Sequence, residues 1–224
     1  CSYAADRGSL LGWDVVFTSF PWAVEEWRSV GVNVHYLPLA FGKHVLQRVA
    51  LPYDRDIVVS FVGGLGYRHI WNSGQDAITA VAKALGSRFK WAGYGNGPDS
   101  AELASCWIGE CWGHEYFRTL ARSRIALNRH GEVSRGAANN LRLFEATAMG
   151  CCLVTEHAPN ISDFFDPGME CVTYKNPDDL VRQVKLLLAK PERTREIAEA
   201  GRRRCLAEHC YENRVARFLD VIGS

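Results

Sequence analysis

With 224 residues, 47% of them hydrophobic, the chain is long enough to bury a substantial core. Its 26 basic and 25 acidic residues leave a net charge of +1, so no charge excess points to nucleic acid or an anionic membrane surface. No apolar run reaches the roughly 18 residues of a membrane helix and no signal pattern opens the sequence, which leads us to expect a soluble, cytoplasmic protein without a transmembrane segment. The sequence begins at Cys1 rather than methionine and reads as an excised domain or processed product. After ten patternless residues, WDVVFTS from Trp13 reads as a short strand. PWAVEEWRSVG follows as a helix opened by Pro21 and ended by Gly31, and VNVHYLPLAF returns as a strand. LPYDRD, containing Pro52, is a polar linker, and we expect residues 1–52 to be the end of one domain and 53–224 to be another.

The second domain opens on a strand, Asp56 to Val62, with Gly63, Gly64 and Gly66 directly after it and a helix expected from about Trp71 to Leu85. GGLG matches neither a P-loop nor the full G-x-G-x-x-G pattern, but glycines at a strand end let a ligand approach the backbone. Arg68 and His69 follow, and a planar guanidinium pairs well with phosphate oxygens; a plain glycine turn with two surface residues is the alternative. FKWAGYG is the next strand, where Tyr94 suits stacking on a base or simple core packing. In the helix CWGHEYFRTLARS, Tyr116, Phe117 and Leu120 recur at the spacing of packing residues.

From Ile125 to Glu156 the chain reads as a buried strand (Ile125 to Asn128), a polar loop (Arg129 to Ala138), a helix (Asn139 to Met149) stopped by Gly150, and a buried strand (Cys151 to Thr155). Ligands of open α/β sheets bind at the carboxyl ends of strands, where the following helix offers unpaired N–H groups to an anion. The loop carries His130, Gly131, Ser134, Arg135, Gly136, Asn139 and Asn140, many ligand-capable groups for one connection. In the helix Leu141, Phe144 and Ala148 mark a buried face, and Arg142 and Glu145 lie three apart on a neighbouring one. They suit a diphosphate and a ribose, or form an ordinary surface pair. ECVTY is a further strand, Asn176 caps a helix that Pro177 opens, and two more helices end the chain, so the alternation predicts a Rossmann-like parallel sheet flanked by helices. Of the eight cysteines, Cys151, Cys152 and Cys171 fall in core strands, which fits reduced thiols. The four-residue gaps of Cys106 with Cys111 and Cys205 with Cys210 are wider than structural zinc spacings.

Four ordered segments, LNRH, NNLRLFEATAMGCCLVTE, DFFDPGMECVTYKNPDDL and AEAGRRRCLAEHCYENR, resemble the donor-binding, carboxy-terminal half of GT-B glycosyltransferases, most of all the CgeB-like group near family 4. The resemblance covers roughly Asp56 to Ile222 and implies a GT-B half preceded by a remnant of the acceptor-side domain, onto which the last helix crosses. It also implies that Glu145, in the FEA segment, binds the ribose of a nucleotide sugar. Many family 4 enzymes carry a second glutamate eight positions earlier, where this chain has Ala137.

No serine, histidine and acid trio can be assembled, and the reading is of metal-independent transfer from a UDP- or GDP-sugar, with no further cofactor. The expected donor-binding residues are Gly63, Gly64, Tyr94, Asn139, Asn140, Arg142 and Glu145, with His130 and Arg68 as catalytic candidates near the sugar. The acceptor would be a glycan, protein or small molecule held by a missing amino-terminal acceptor domain. Two alternatives stand beside this one: an inactive GT-B-like module of a surface or spore-coat assembly protein, and a GT-B-type sugar-nucleotide epimerase.

Overall fold

A strand buried along nearly its whole length must be covered on both faces, and IVVSFV, SRIALN and CLVTE, buried at all but Val58, Arg124 and Glu156, meet that condition here. The computed structural model describes residues 7–49, 54–65, 75–93 and 100–223. Its elements run α1 (Arg7–Leu10), β1 (Val16–Thr18), α2 (Pro21–Arg28), β2 (Val34–Tyr36), α3 (His44–Arg48), β3 (Ile57–Val62), α4 (Gln75–Leu85) and β4 (Phe89–Ala92). They continue with α5 (Ala101–Cys106), α6 (Gly113–Arg122), β5 (Ser123–Asn128), α7 (Leu141–Ala148), β6 (Cys152–Glu156), β7 (Val172–Tyr174), α8 (Pro177–Ala189), α9 (Pro191–Glu208) and α10 (Tyr211–Ile222).

Five strands form one parallel sheet in the order β4-β3-β5-β6-β7. Alternation along the inner strands divides the core in two. Ala126 and Leu153 face one cluster with Leu143, Phe144 and Cys205, while Ile125, Leu127 and Val154 face another with Ile78, Leu180 and Ile197. The chain passes from β3 out to β4 and then back across to β5 on the opposite side of β3. In open parallel sheets the crevice at such a switch is where ligands bind, here at the carboxyl ends of β3 and β5.

β1 and β2 pair in parallel as a separate two-stranded sheet. Backbone bonds stitch this amino-terminal unit to the end of the chain: Phe41 N–H donates to His209 O (2.9 Å) and Tyr211 N–H to Phe41 O (3.0 Å). Arg214 of α10 donates to the carbonyls of Pro38 and Leu39, and Phe218 packs on Phe17 with ring centroids 4.8 Å apart.

Two readings need correction. The central helix begins at Leu141 rather than Asn139, because the side chain of Asn140 accepts from Leu143 N–H and so closes the first turn as its cap. Leu141 is 41% exposed, and the buried face of α7 is formed instead by Leu143, Phe144, Thr147 and Ala148. Arg68, His69 and Tyr94, with the residues from Trp71 to Gly74, lie outside the described residues.

Candidate functional site

Asn128, the last residue of β5, is fully buried and joins the strand end to the start of α7. Its amide nitrogen donates to Thr155 Oγ1 (2.9 Å) and its amide oxygen accepts from Asn140 Nδ2 (3.0 Å) and, at 3.4 Å, from Arg142 Nη1. Asn140 Nδ2 also donates to Arg129 O (2.6 Å). One asparagine therefore caps the helix and fixes its first turn against the carboxyl ends of the strands, where a positive helix pole faces the crevice. Asn139, one residue outside the cap, turns the other way and donates to Ser19 Oγ (3.2 Å) in the amino-terminal unit.

Arg142 lies across this edge. Its guanidinium carbon stands 4.6 Å from the ring centre of Phe61 in β3, and its Nε is buried without an acceptor. Gly63 makes room for it, since a Cβ there would lie 2.0 Å from Arg142 Nη2. Gly64 follows, half-buried, at the same strand end. Arg129 enters the same neighbourhood from β5 and is buried. Its pKa falls below the usual guanidinium value, through burial first and the like charge of Arg142 second. Two guanidinium groups and a helix start together suit an anion with several oxygens.

Arg142 and Glu145 share the helix but do not pair. The Glu145 carboxylate instead accepts from the hydroxyl of Tyr116, on α6, at 2.5 Å. Burial raises the Glu145 pKa, opposed by the Tyr116 bond and by Arg142. Burial and the adjacent carboxylate both hold the Tyr116 phenol well above its ordinary value, so it remains a donor. Tyr116 packs against Phe117, as its spacing suggested, but its hydroxyl also fixes the carboxylate. That link was invisible in the sequence because the partners are 29 positions apart.

His130 is 6% exposed. Its backbone N–H donates to Glu156 Oε2 (3.0 Å), its Nε2 lies 3.1 Å from Glu156 O, and its Nδ1 is buried without a partner. Burial lowers its pKa to about 4, so the imidazole is neutral at physiological pH. It offers a hydrogen-bonding ring, not a cation.

The loop between β5 and α7 is held from the amino-terminal side as well. Arg135, with φ 50°, and Gly136, with φ 84°, turn the chain through left-handed conformations. The Arg135 guanidinium sits 3.9 Å from the ring centre of Trp22 and pairs with Glu26. Trp22 Nε1 donates to Val133 O at 2.8 Å. Arg129 and Trp22 are thus site neighbours that spacing did not single out, and Tyr116 is one that spacing assigned to packing alone. Only Arg129 left a trace, as a charge placed directly after a buried strand.

The profile of a family described as Glycosyl transferase-like matches residues 68–220. Among solved structures, the chain is similar to a sucrose-phosphate synthase from Thermosynechococcus elongatus, at 16% identity and a TM-score of 0.69 over 96% of this chain and 59% of that one. It is also similar to Anabaena HepE solved with UDP and glucose (11% identity, TM-score 0.65, 94% of this chain and 63% of that one). A third similarity is to a TarM mutant from S. aureus, solved in a complex that includes UDP and alpha-GlcNAc-glycerol (14% identity, TM-score 0.65, 94% of this chain and 43% of that one). The chain thus spans less than two thirds of each of these structures. No curated protein matches the sequence.

Proposed function

Because the chain belongs to the glycosyl transferase-like family and has the fold of a GT-B carboxy-terminal half, we propose that it is the donor-binding part of an enzyme that transfers a sugar from a UDP- or GDP-sugar. The observation that carries this reading is the buried, unsatisfied Nε of Arg142 beneath Gly63 at the switch between β3 and β5. An orphaned donor in that place is satisfied by an oxygen of the carrier diphosphate. Gly63 and Gly64 let the diphosphate approach, and the first turn of α7, ordered by Asn140, meets its charge, with Asn139 beside it. Glu145 accepts the ribose hydroxyls through the oxygen that Tyr116 does not occupy. Tyr94 and Arg68 are assigned to the base and the sugar from their place in the sequence, and neutral His130 to a hydrogen bond near the transferred sugar.

As the sugar leaves, negative charge grows on the diphosphate, and guanidinium groups and helix N–H donors aimed at it stabilise the transition state without an obligatory metal. The UDP in the HepE and TarM complexes supports the donor class. Residues 1–52 belong, in this reading, to the acceptor-side domain, and the remainder of that domain holds a glycan, protein or small-molecule acceptor. The CgeB-like motifs and the buried thiols fit a cytoplasmic enzyme of that group. Among the described residues no helix is long and apolar enough to cross a membrane.

Calorimetric titration with UDP, GDP and uridine tests the site. We expect Arg142→Ala to weaken a nucleoside diphosphate by about 1 to 3 kcal/mol, as for a lost charge-assisted bond, and to spare uridine. Equal losses for both would give Arg142 a purely structural role. A second reading, a binding module without transfer activity, is favoured by Ala137 and by the engagement of Glu145 with Tyr116. Incubating the full-length parent with labelled nucleotide sugar and acceptor separates the two, since the module would leave the label on its carrier.

A further inference from the structure

At the edge of the sheet opposite the crevice, where β3 and β5 begin, a cavity of about 810 Å³ opens toward α8 and α9. Five guanidinium groups line it, from Arg55, Arg88, Arg124, Arg195 and Arg202, against one carboxylate, Glu199. The whole chain carries a net charge of only +1, so this is a local concentration of positive charge.

Part of the cluster has a structural duty. Arg55 donates to Ser123 O (2.5 Å) and Met149 O (3.0 Å), and Arg202 Nε donates to Ala148 O (3.0 Å), which closes the negative pole of α7. Gly150, with φ 81°, permits the approach, since a Cβ there would lie 2.5 Å from Arg55 Nη2. Capping does not explain the others. Arg124 uses only Nε, on Arg55 O (2.8 Å), and Arg88 and Arg195 form no ion pair among the described residues. Six arginines outside the cavity, Arg118, Arg122, Arg135, Arg182, Arg193 and Arg204, do face carboxylates. Val58, Ile125, Leu187 and Leu188 supply an apolar wall to the same cavity.

We infer that this cavity is a second anion site, distinct from the crevice, which takes a phosphate-bearing organic molecule. Guanidinium forks match phosphate oxygens two at a time, the pinned Arg55 and Arg202 are already ordered, and the apolar wall receives the body of the ligand. The phosphate belongs either to a soluble compound or to a lipid headgroup.

The test uses the full chain, the variant Arg88→Glu/Arg195→Glu and the variant Arg142→Ala, each titrated calorimetrically with sodium tripolyphosphate and sedimented with phosphatidylcholine vesicles with or without phosphatidic acid. Arg88 and Arg195 are exposed, so their reversal should leave the thermal unfolding midpoint in place, and UDP serves as a control for the crevice. The expected result is a loss of roughly tenfold or more in affinity for the bound probe in the double variant, with binding retained in Arg142→Ala. Tripolyphosphate binding alone identifies a soluble ligand, and binding to vesicles only when they contain phosphatidic acid identifies a headgroup. If neither probe binds, if the double variant binds as well as the parent, or if Arg142→Ala abolishes binding, the second site does not exist.

Discussion

Tyr116 and His130 show how burial sets the chemistry of single residues at the crevice. The Tyr116 hydroxyl holds one oxygen of Glu145, and we expect Tyr116→Phe to loosen UDP by about 0.5 to 1.5 kcal/mol in calorimetry, the usual net value of one hydrogen bond. An unchanged affinity would mean that the carboxylate needs no tether. His130 makes a statement about pH. Its ordinary value of 6.5 applies to the unfolded chain and a value of about 4 to the folded one, so between these limits only the unfolded chain takes up the proton. The contribution of His130 to stability is therefore present above pH 6.5 and is lost as pH falls toward 4, by about 3 kcal/mol in all. Urea unfolding at pH 7 and pH 5 checks this: His130→Gln should show a smaller drop than the parent, and an equal drop would assign the pH dependence to other groups.

At the scale of elements, α7 is the piece on which both binding proposals converge, and its capping residue is its weak point. Asn140→Ala removes the cap of Leu143 N–H together with the links to Asn128 and Arg129, and should cost about 1 to 2 kcal/mol in urea unfolding. A change within error would show that packing of Phe144 alone holds the helix. Much of this region was legible beforehand. β3, β5 and β6 announce themselves as short, mainly apolar runs, and the stop of α7 at Gly150, with φ 81°, follows from glycine's tolerance of left-handed backbone. Other features left no periodic trace. α5, with only six residues, is too short for a pattern. Contacts such as Tyr116 to Glu145, or the arginines gathered at the far edge, arise from tertiary packing of segments far apart in the chain, which a local pattern does not encode.

At the scale of the molecule, two contacts tie the amino-terminal unit to the site and to the end of the chain. One is the β5–α7 loop, where Trp22, Glu26 and Ser19 meet Val133, Arg135 and Asn139. The other is the junction of α9 and α10, where Phe41 bonds through its backbone to His209 and Tyr211. Trp22→Ala removes the first contact at its centre, and we expect weaker UDP binding with little change in the α-helical circular dichroism, because the loop loses its anchor while the sheet keeps its core. Undiminished affinity would show that the loop holds its shape unaided. The second contact bears on how the polypeptide can be divided. Phe41 is buried between the two last helices and reads their backbone as a short parallel bridge, so this attachment does not depend on the peptide bonds that follow it. Expressed as separate polypeptides, 1–49 and 54–224 should find each other and co-elute, and Phe41→Asp should make them part.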